Sequence, residues 1–342
     1  MAEIKIAVIG VGNVGSTFVR GIDYYSNAKN TVGLWHHKVA GFNTSNIRIA
    51  AAFDIDPGKV GRNLSEVVAR DGIKKYSSAG RSTVRVHPGI LFDKRTNIDK
   101  PIISSNDEII RELRRSGARV VLNLISSGQD ETSREYAKAA LQAHIAFVNA
   151  TPTKIATDPL VARKFAQRKL VLAGDDLLSQ FGGTAFHKGM IDFMVERGIH
   201  VKKSYQLDVG GSTETKNTMD DRIRMMKRML KTGSIGMEAP YKFESVAGTT
   251  EYTDFLGDSR NSYYWMSSEG FLGSNIVMDL TLRTSDGANA GNVLLDIVRA
   301  IAGSKDSKIS KSTETICAYG FKNPPKQYGI RDAYANFIRM FA

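Results

Sequence analysis

Hydrophobic and polar positions follow two different grammars along this chain, and the change between them falls near residue 200. Before it, short apolar runs alternate with segments of helical period. IKIAVI at residues 4–9 feeds a helical pattern, IRIAAAF at 47–53 follows a loop, a helical pattern at 107–116 leads to the run at 118–125, and a run at 169–173 leads to a helix ending near residue 197. Apolar runs of this length between amphipathic segments predict strands buried on both faces of a parallel sheet, joined by crossover helices. The expected class is therefore α/β and doubly wound. From residue 201 the segments VKKSYQLDVGG, SYYWMSSEG and NIVMDLTLRTS alternate instead, with one helix expected between the first two. That predicts an inserted α+β unit built on a sheet. In its helix Met219, Ile223, Met226 and Leu230 recur at helical spacing and are expected to be core. An apolar helix at 288–302 and CAYGFKNPP are expected to rejoin the first unit, which gives a Rossmann-type domain at 1–198 and 287–342 and a second domain at 199–286. Residues 27–46 show no clean period, and 70–105 read as a long excursion with one short strand near 83–87.

The first strand runs straight into Gly10-Val11-Gly12-Asn13-Val14-Gly15. Gly10 suits the turn, Gly12 lets a phosphate approach the backbone, and Gly15 lets the helix lie close to the strand. Free amides at the helix start suit a pyrophosphate. A glycine-rich turn that only packs helix on sheet is the competing reading. The second run ends at Asp54, where an acid would hold ribose hydroxyls and repel a 2′-phosphate, so NAD is expected rather than NADP. Asp54 lies 44 residues after Gly10, more than the usual gap of about twenty, and the loop between them accounts for the excess. Asp56 is the fallback.

Asn123, Ser126 and Ser127, and then Asn149 to Thr151, fall at strand ends where ligands of such sheets sit, although helix capping would explain the same residues. GDDLLSQFGGT at 174–184 repeats the logic of strand end, small residues and helix start, with Asp175 and Asp176 beside it. One of these two acids is expected to orient a lysine or a cofactor amide. Capping is the competing role for Asp175. Lys227 and Lys231 stand four apart, so both ammonium groups leave one side of a helix; a solvated face is the bland alternative.

The remaining totals narrow the partners. In 342 residues a formal charge of +12 favours anions, yet the basic residues are scattered and no nucleic-acid motif is visible, so phosphorylated small molecules are expected and nucleic acid is not. No apolar run reaches membrane-span length and MAEIKIAVIG lacks a leader pattern, which points to the cytoplasm and no membrane partner. Cys317 is the lone cysteine, and His36, His37, His87, His144, His187 and His200 form no ligand spacing, so no metal residues are assigned.

Taken in order, GVGNVGSTFVRGIDYY, AAFDIDPGKVG, AFVNATP, AGDDLLSQ, LDVGGSTETKN with Lys227 and Lys231 behind it, LGDSR, TSDGANAG and AYGFKNPP resemble the myo-inositol-1-phosphate synthases, and more closely their shorter prokaryotic branch. The resemblance runs through most of the chain and omits the 70–105 loop. It implies a redox-neutral cyclisation of glucose 6-phosphate, in which bound NAD takes a hydride from C5 and returns it after an enolate closes on C1. It also implies that the second domain is catalytic and pairs subunits into a homotetramer, and that a divalent or monovalent cation assists some relatives. Lys227, Lys231 and Lys322 match active-site lysines, Asp286 the acid near the proton-transfer lysine, and Asp176 the acid near the nicotinamide. Ser179 and Gln180 match phosphate-loop positions. The resemblance thus has Lys322, steered by Asp286, move the proton lost as C5 is oxidised, Lys227 stabilise oxyanions, and Lys231 hold phosphate or oxyanion.

Three positions depart from that pattern. Leu178 and Arg260 stand where relatives carry lysine, and Glu214 where Asp is usual. Arg260 keeps the charge needed to bind substrate phosphate but trades no proton readily. A related sugar phosphate as substrate, an ordinary NAD dehydrogenase and a non-enzymatic nucleotide-binding protein therefore stand as alternatives.

Overall fold

The apolar runs before residue 175 become parallel strands in a computed structural model that describes residues 2–27, 31–69, 83–94, 96 and 98–342. They are β1 (Ile4–Ile9), β2 (Ile47–Asp54), β3 (Val86–Pro88), β4 (Val120–Asn123), β5 (Ala146–Asn149) and β6 (Leu172–Ala173). Among the described residues they form one sheet in the order β3-β2-β1-β4-β5-β6. The chain reverses direction across the sheet between β1 and β4, which opens a crevice at the strands' carboxyl ends. The run expected at 169–173 shortens to two residues because Lys169, at φ 55, still belongs to the turn closing the preceding helix. Part of the 70–105 excursion lies outside the described residues; its short strand is β3.

Helices α1 (Asn13–Asn27), α2 (Leu64–Ala69), α3 (Asn106–Ser116), α4 (Asp130–Ala143), α5 (Pro159–Gln167) and α6 (Gly183–Glu196) follow these strands. Strand pleating sends Ile4, Ile6 and Val8 of β1 to one face and Ala7 and Ile9 to the other. The second face is sealed by α3, α4 and α5 through Leu113, Tyr136 and Phe165. The first is sealed by α1 and three later helices, α9 (Asp286–Gly303), α10 (Ile309–Gly320) and α11 (Ile330–Phe341), through Phe18, Val293, Ile316 and Phe337. The C-terminal helices do rejoin the first unit. The aperiodic stretch before β2 is held by side chain to backbone bonds: buried Arg299 of α9 donates to the carbonyls of His36 at 3.1 Å and His37 at 3.0 Å. Its charge is met by Asp296 at 2.6 Å.

The inserted unit departs from expectation in one strand and one helix. After β7 (His200–Gly210) come α7 (Thr213–Asn217), α8 (Asp221–Gly236) and β8 (Glu244–Tyr252), then β9 (Ser259–Glu269) and β10 (Asn275–Ser285). Strand β8 has the sequence ESVAGTTEY, too polar and glycine-bearing to announce itself, and it exists because it pairs in parallel with β7. The sheet order is β10-β9-β7-β8. One face packs on α6 and α8 through Ile191, Val201, Ile235 and Met266. Of the four residues expected to be core in α8 and its lead-in, only Ile223 is buried; Met219, Met226 and Leu230 are half-buried. The helix divides its inner side between the sheet and a polar cavity, leaving less room for an apolar stripe. No described helix is long and apolar enough to cross a membrane.

Candidate active site

A cavity of about 400 Å³ lies where the parallel sheet's carboxyl edge meets α8 and the second sheet, walled on one side by Gly12, Asn13 and Val14. The glycine loop is built as its spacing requires. Gly10 sits at φ 87, and a Cβ there would lie 2.9 Å from the Leu124 carbonyl carbon; a Cβ on Gly15 would lie 2.6 Å from the Gly10 oxygen. Above Gly12 there is open space. The first turn of α1 carries no acid of its own, and Asp258 on the cavity wall takes the Asn13 side chain at 2.9 Å, not a helix amide. These features fit a dinucleotide's pyrophosphate.

Opposite the loop, the pleat of the second sheet aims one set of side chains inward. Register pairs Asp208 with Ser262 and Gly210 with Arg260, so Gln206, Asp208, Arg260 and Ser262 share the inner face. From α8, Lys227 and Lys231 reach the same space one helical turn apart, their side chains only 12% and 8% exposed. The solvated-face alternative for this pair is excluded. Lys322, in the turn after α10, completes the cluster.

Each cation meets a carboxylate. Lys227 pairs with Glu214, which also accepts from the Ser127 hydroxyl and, at 2.9 Å, from the Ser127 amide. Lys231 lies 2.5 Å from Asp208, Lys322 2.8 Å from Asp176, and Arg260 2.6 Å from Asp286. Arg260 also stands 3.6 Å from Asp208. Burial opposes ionisation of Asp176, Asp208 and Glu214, but the surrounding cations outweigh it and hold all three carboxyls below the usual range. Burial likewise opposes the charge on Lys227, yet Glu214 and Asp176 raise its pKa. In Lys231 burial, helped by Arg260 and Lys322, prevails over Asp208, and its pKa falls. Two buried atoms on the cavity wall, Asp176 Oδ2 and Arg260 Nη1, have no hydrogen-bond partner among the described residues. Such atoms are costly unless a ligand meets them.

The sequence-predicted residues divide by location. Gly12, Asn13, Val14, Ser126, Ser127, Asp176, Ser179, Lys227, Lys231, Arg260, Asp286 and Lys322 line the cavity. Asp54 does not: its oxygens accept the amides of Val11 at 2.9 Å, Ile55 at 2.8 Å and Asp56 at 3.0 Å, so it braces the glycine loop, while Lys59 reaches the wall. Asn149 is fully buried and spends its amide on Thr151, Thr153 and Asp175; its successors Ala150 to Pro152 face the cavity. Asp175 accepts the amides of Ile155, Ala156 and Thr157 and serves the fold, whereas Asp176 is the acid that orients a lysine. Gln180 turns away to Asn292, and Leu178 lines a separate apolar cleft with Trp35, Phe186 and Tyr334. The cation absent at Leu178 is therefore not absent from the cavity.

Asp286 does not steer Lys322, contrary to expectation. It begins α9 directly after β10, whose Thr284 pairs with Arg260, so the guanidinium reaches it first. Lys322 is committed to Asp176 through its own amide as well, 2.8 Å from the Asp176 carbonyl. Sequence reading missed Gln206, Asp208 and Asp258, all on the wall. Asp258 accepts from Asn13 at 2.9 Å and from the Gly287 amide at 3.2 Å, joining the glycine loop to α9. For Asp208 one signal was present: a charge on the inward phase of an alternating strand.

Comparison with known proteins agrees on one family. A sequence model of the myo-inositol-1-phosphate synthases matches residues 182–287. The inositol-3-phosphate synthase of Mycolicibacterium smegmatis is 31% identical over 341 residues, covering 95% of this chain and 94% of that one. That of Corynebacterium glutamicum is 30% identical over 344 residues, with the same shares covered. A myo-inositol-1-phosphate synthase-related protein from Thermotoga maritima superposes with a TM-score of 0.80 at 20% identity, over 98% of this chain and 97% of that one, which speaks for the fold alone.

Proposed function

The chain belongs to the myo-inositol-1-phosphate synthase family, and from that membership we propose that it is an NAD-dependent isomerase cyclising glucose 6-phosphate to 1D-myo-inositol 3-phosphate. The observation that carries the reading is the convergence of Lys227, Lys231, Arg260 and Lys322 on a cavity whose other wall is the glycine loop. NAD, held by Gly12, Asn13 and Val14, would supply a hydride acceptor that later becomes the donor, leaving no net redox change.

The side chains do the rest. Lys322 hands one of its own protons to Asp176, 2.8 Å away, as it takes the one released from the C5 hydroxyl, and the same path runs backwards when the hydride returns. Lys227 stays charged because Glu214 and Asp176 favour its ammonium form, which suits it to oxyanions growing during enolisation and ring closure. Lys231 and Arg260 hold the phosphate. Arg260 Nη1, 3.6 Å from Asp208 and without a hydrogen-bond partner among the described residues, is the donor it would meet.

Glucose 6-phosphate with catalytic NAD should give a non-reducing cyclohexanepolyol monophosphate of the same mass as the substrate and no lasting NADH. Stoichiometric NADH would instead make the protein an ordinary dehydrogenase. Arg260, fixed by two carboxylates where relatives have lysine, favours as second reading a related sugar phosphate, and a panel of hexose and pentose phosphates in the same assay separates the two. The same reading assigns residues 1–198 and 287–342 to cofactor binding and 199–286 to catalysis and to homotetramer formation in the cytoplasm. The outer face of the second sheet, with Leu207, Tyr263 and Val277 exposed, suits pairing of copies, and light scattering tests it.

A further inference from the structure

Behind the cation cluster lies a buried polar chain that begins well away from the cavity. Ser204 bonds His187 Nε2, His187 Nδ1 lies 3.3 Å from Gln206 Oε1, and Gln206 Nε2 donates to Asp208 Oδ1 at 2.8 Å. One hydrogen assignment satisfies every link. A neutral His187 protonated on Nδ1 donates to Gln206 and accepts from Ser204 at Nε2, which forces the Gln206 amide nitrogen toward Asp208. Ser262 adds a second donor to the same oxygen at 2.6 Å. Ser204, His187, Gln206, Asp208 and Ser262 are all buried. Asp208 is thus fixed on its Oδ1 side and presents only Oδ2 to the cavity, where Lys231 lies at 2.5 Å and Arg260 at 3.6 Å.

We propose that Asp208 is a positioning residue that holds Lys231 and Arg260 side by side on one carboxylate oxygen, as a clamp for a dianionic phosphoryl group. The inference rests on the proposed reading of the cavity as a sugar-phosphate site and adds the residue that builds its phosphate end. Lys231 is paired to Asp208 at 2.5 Å, and Arg260, held on its other side by Asp286 at 2.6 Å, turns Nη1 toward the same Asp208 oxygen, so the two cations converge there from a helix and a strand. Without Asp208 the two cations, their side chains only 8% and 12% exposed, would repel each other, and Lys231 would lose the anion that keeps it charged beside Arg260 and Lys322. The other charged groups on the cavity wall are Lys227 from α8, Glu214 from α7, Lys322 after α10, Asp286 from α9, Asp176 after β6, Asp258 before β9 and Lys59 before α2. All of them remain in an Asp208→Asn protein.

The test is calorimetric titration of inorganic phosphate into the NAD-loaded protein between about pH 7 and 10, alongside turnover. Asp208→Asn should move the alkaline loss of phosphate binding to lower pH by about one unit and lower kcat by at least about tenfold, with NAD affinity unchanged. Lys231→Arg should abolish that alkaline limb. Gln206→Met keeps every charge but removes the donor that orients Asp208, and should weaken phosphate binding roughly tenfold with the limb in place. A wild-type limb in Asp208→Asn, or wild-type phosphate affinity in Gln206→Met should Asp208→Asn not fold, overturns the clamp. A protein that shows these shifts but forms no cyclic product keeps the clamp and loses the proposed reaction instead.

Discussion

Lys322 Nζ lies 2.8 Å from Asp176 Oδ1, and the second oxygen of Asp176 is buried with no hydrogen-bond partner among the described residues. Their backbones are joined as well, so the ammonium is set in place by two separate contacts. A lysine so fixed, with an acid kept ionised by the lysines around it, is arranged to pass a proton along a short defined path. Lys322→Ala should therefore lower turnover of glucose 6-phosphate by about 10²-fold to 10⁴-fold, the usual worth of a general acid or base. NAD titration by tryptophan quenching should be unchanged, and a variant retaining more than a tenth of wild-type kcat would remove Lys322 from the proton path.

Lys227 carries a different demand, since its pair with Glu214 and the nearby Asp176 keep it protonated. Lys227→Ala should bind NAD normally and lose about 10²-fold to 10³-fold in kcat, as for deletion of an oxyanion donor. Lys227→Arg, which preserves charge, should recover part of that loss. Normal turnover in the alanine variant would end its assignment to the oxyanion.

Arg260 spans Asp286 and Asp208 with a planar fork that a lysine cannot reproduce. Arg260→Lys should raise KM for the sugar phosphate about tenfold and lower kcat by a similar factor, because the phosphate is carried on C6, the carbon that loses a proton and joins C1, so a loosened phosphate also misplaces a reacting carbon. Initial-rate kinetics across a sugar-phosphate panel would read this directly. A KM that drops for glucose 6-phosphate alone would identify Arg260 as the residue that tunes this chain to another sugar.

How much of this was legible before folding depended on how local the signal was. The glycine loop needed only a strand, a turn and a helix in succession, and Lys227 with Lys231 needed only helical spacing. Asp208 carried meaning only through register, because its bonds to Ser262 and Lys231 cross to a strand and a helix far along the chain. Leu178 and Ser179 are adjacent in sequence yet only Ser179 reaches the cavity, a division that no period could assign. Strand β8 and the brace role of Asp54 were hidden for the same reason. Each is set by what lies beside it in space.

The relay behind Asp208 has a consequence for stability. Burial pushes the His187 pKa down to about 4, against an ordinary value of 6.5. Below pH 6.5 the unfolded chain binds a proton that the folded chain refuses until about pH 4, so stability is full above that window and is lost as pH falls through it. At about 1.4 kcal/mol per unit the loss approaches roughly 3 kcal/mol. Thermal melts from pH 7.5 to 5 should show a steeper fall in Tm for wild type than for His187→Gln. Asp175, Asp258 and Glu238, raised by burial, act in the opposite direction in both proteins and cancel in the comparison. Equal slopes would mean that His187 is already charged in the fold.

Gly12 and Gly15 separate binding from folding at the glycine loop. A methyl on Gly15 would sit 2.6 Å from the Gly10 carbonyl oxygen, a backbone atom that cannot swing aside, so α1 would have to back away from β1. Overpacking of that kind costs about 1–3 kcal/mol. The same methyl on Gly12 meets nothing within 4 Å and projects into the space where a pyrophosphate would approach. Gly12→Ala should therefore keep the wild-type Tm and weaken NAD binding at least about tenfold, while Gly15→Ala lowers both. If Gly12→Ala binds NAD as wild type does, the dinucleotide does not lie against this turn, and the hydride acceptor must enter the cavity from another wall.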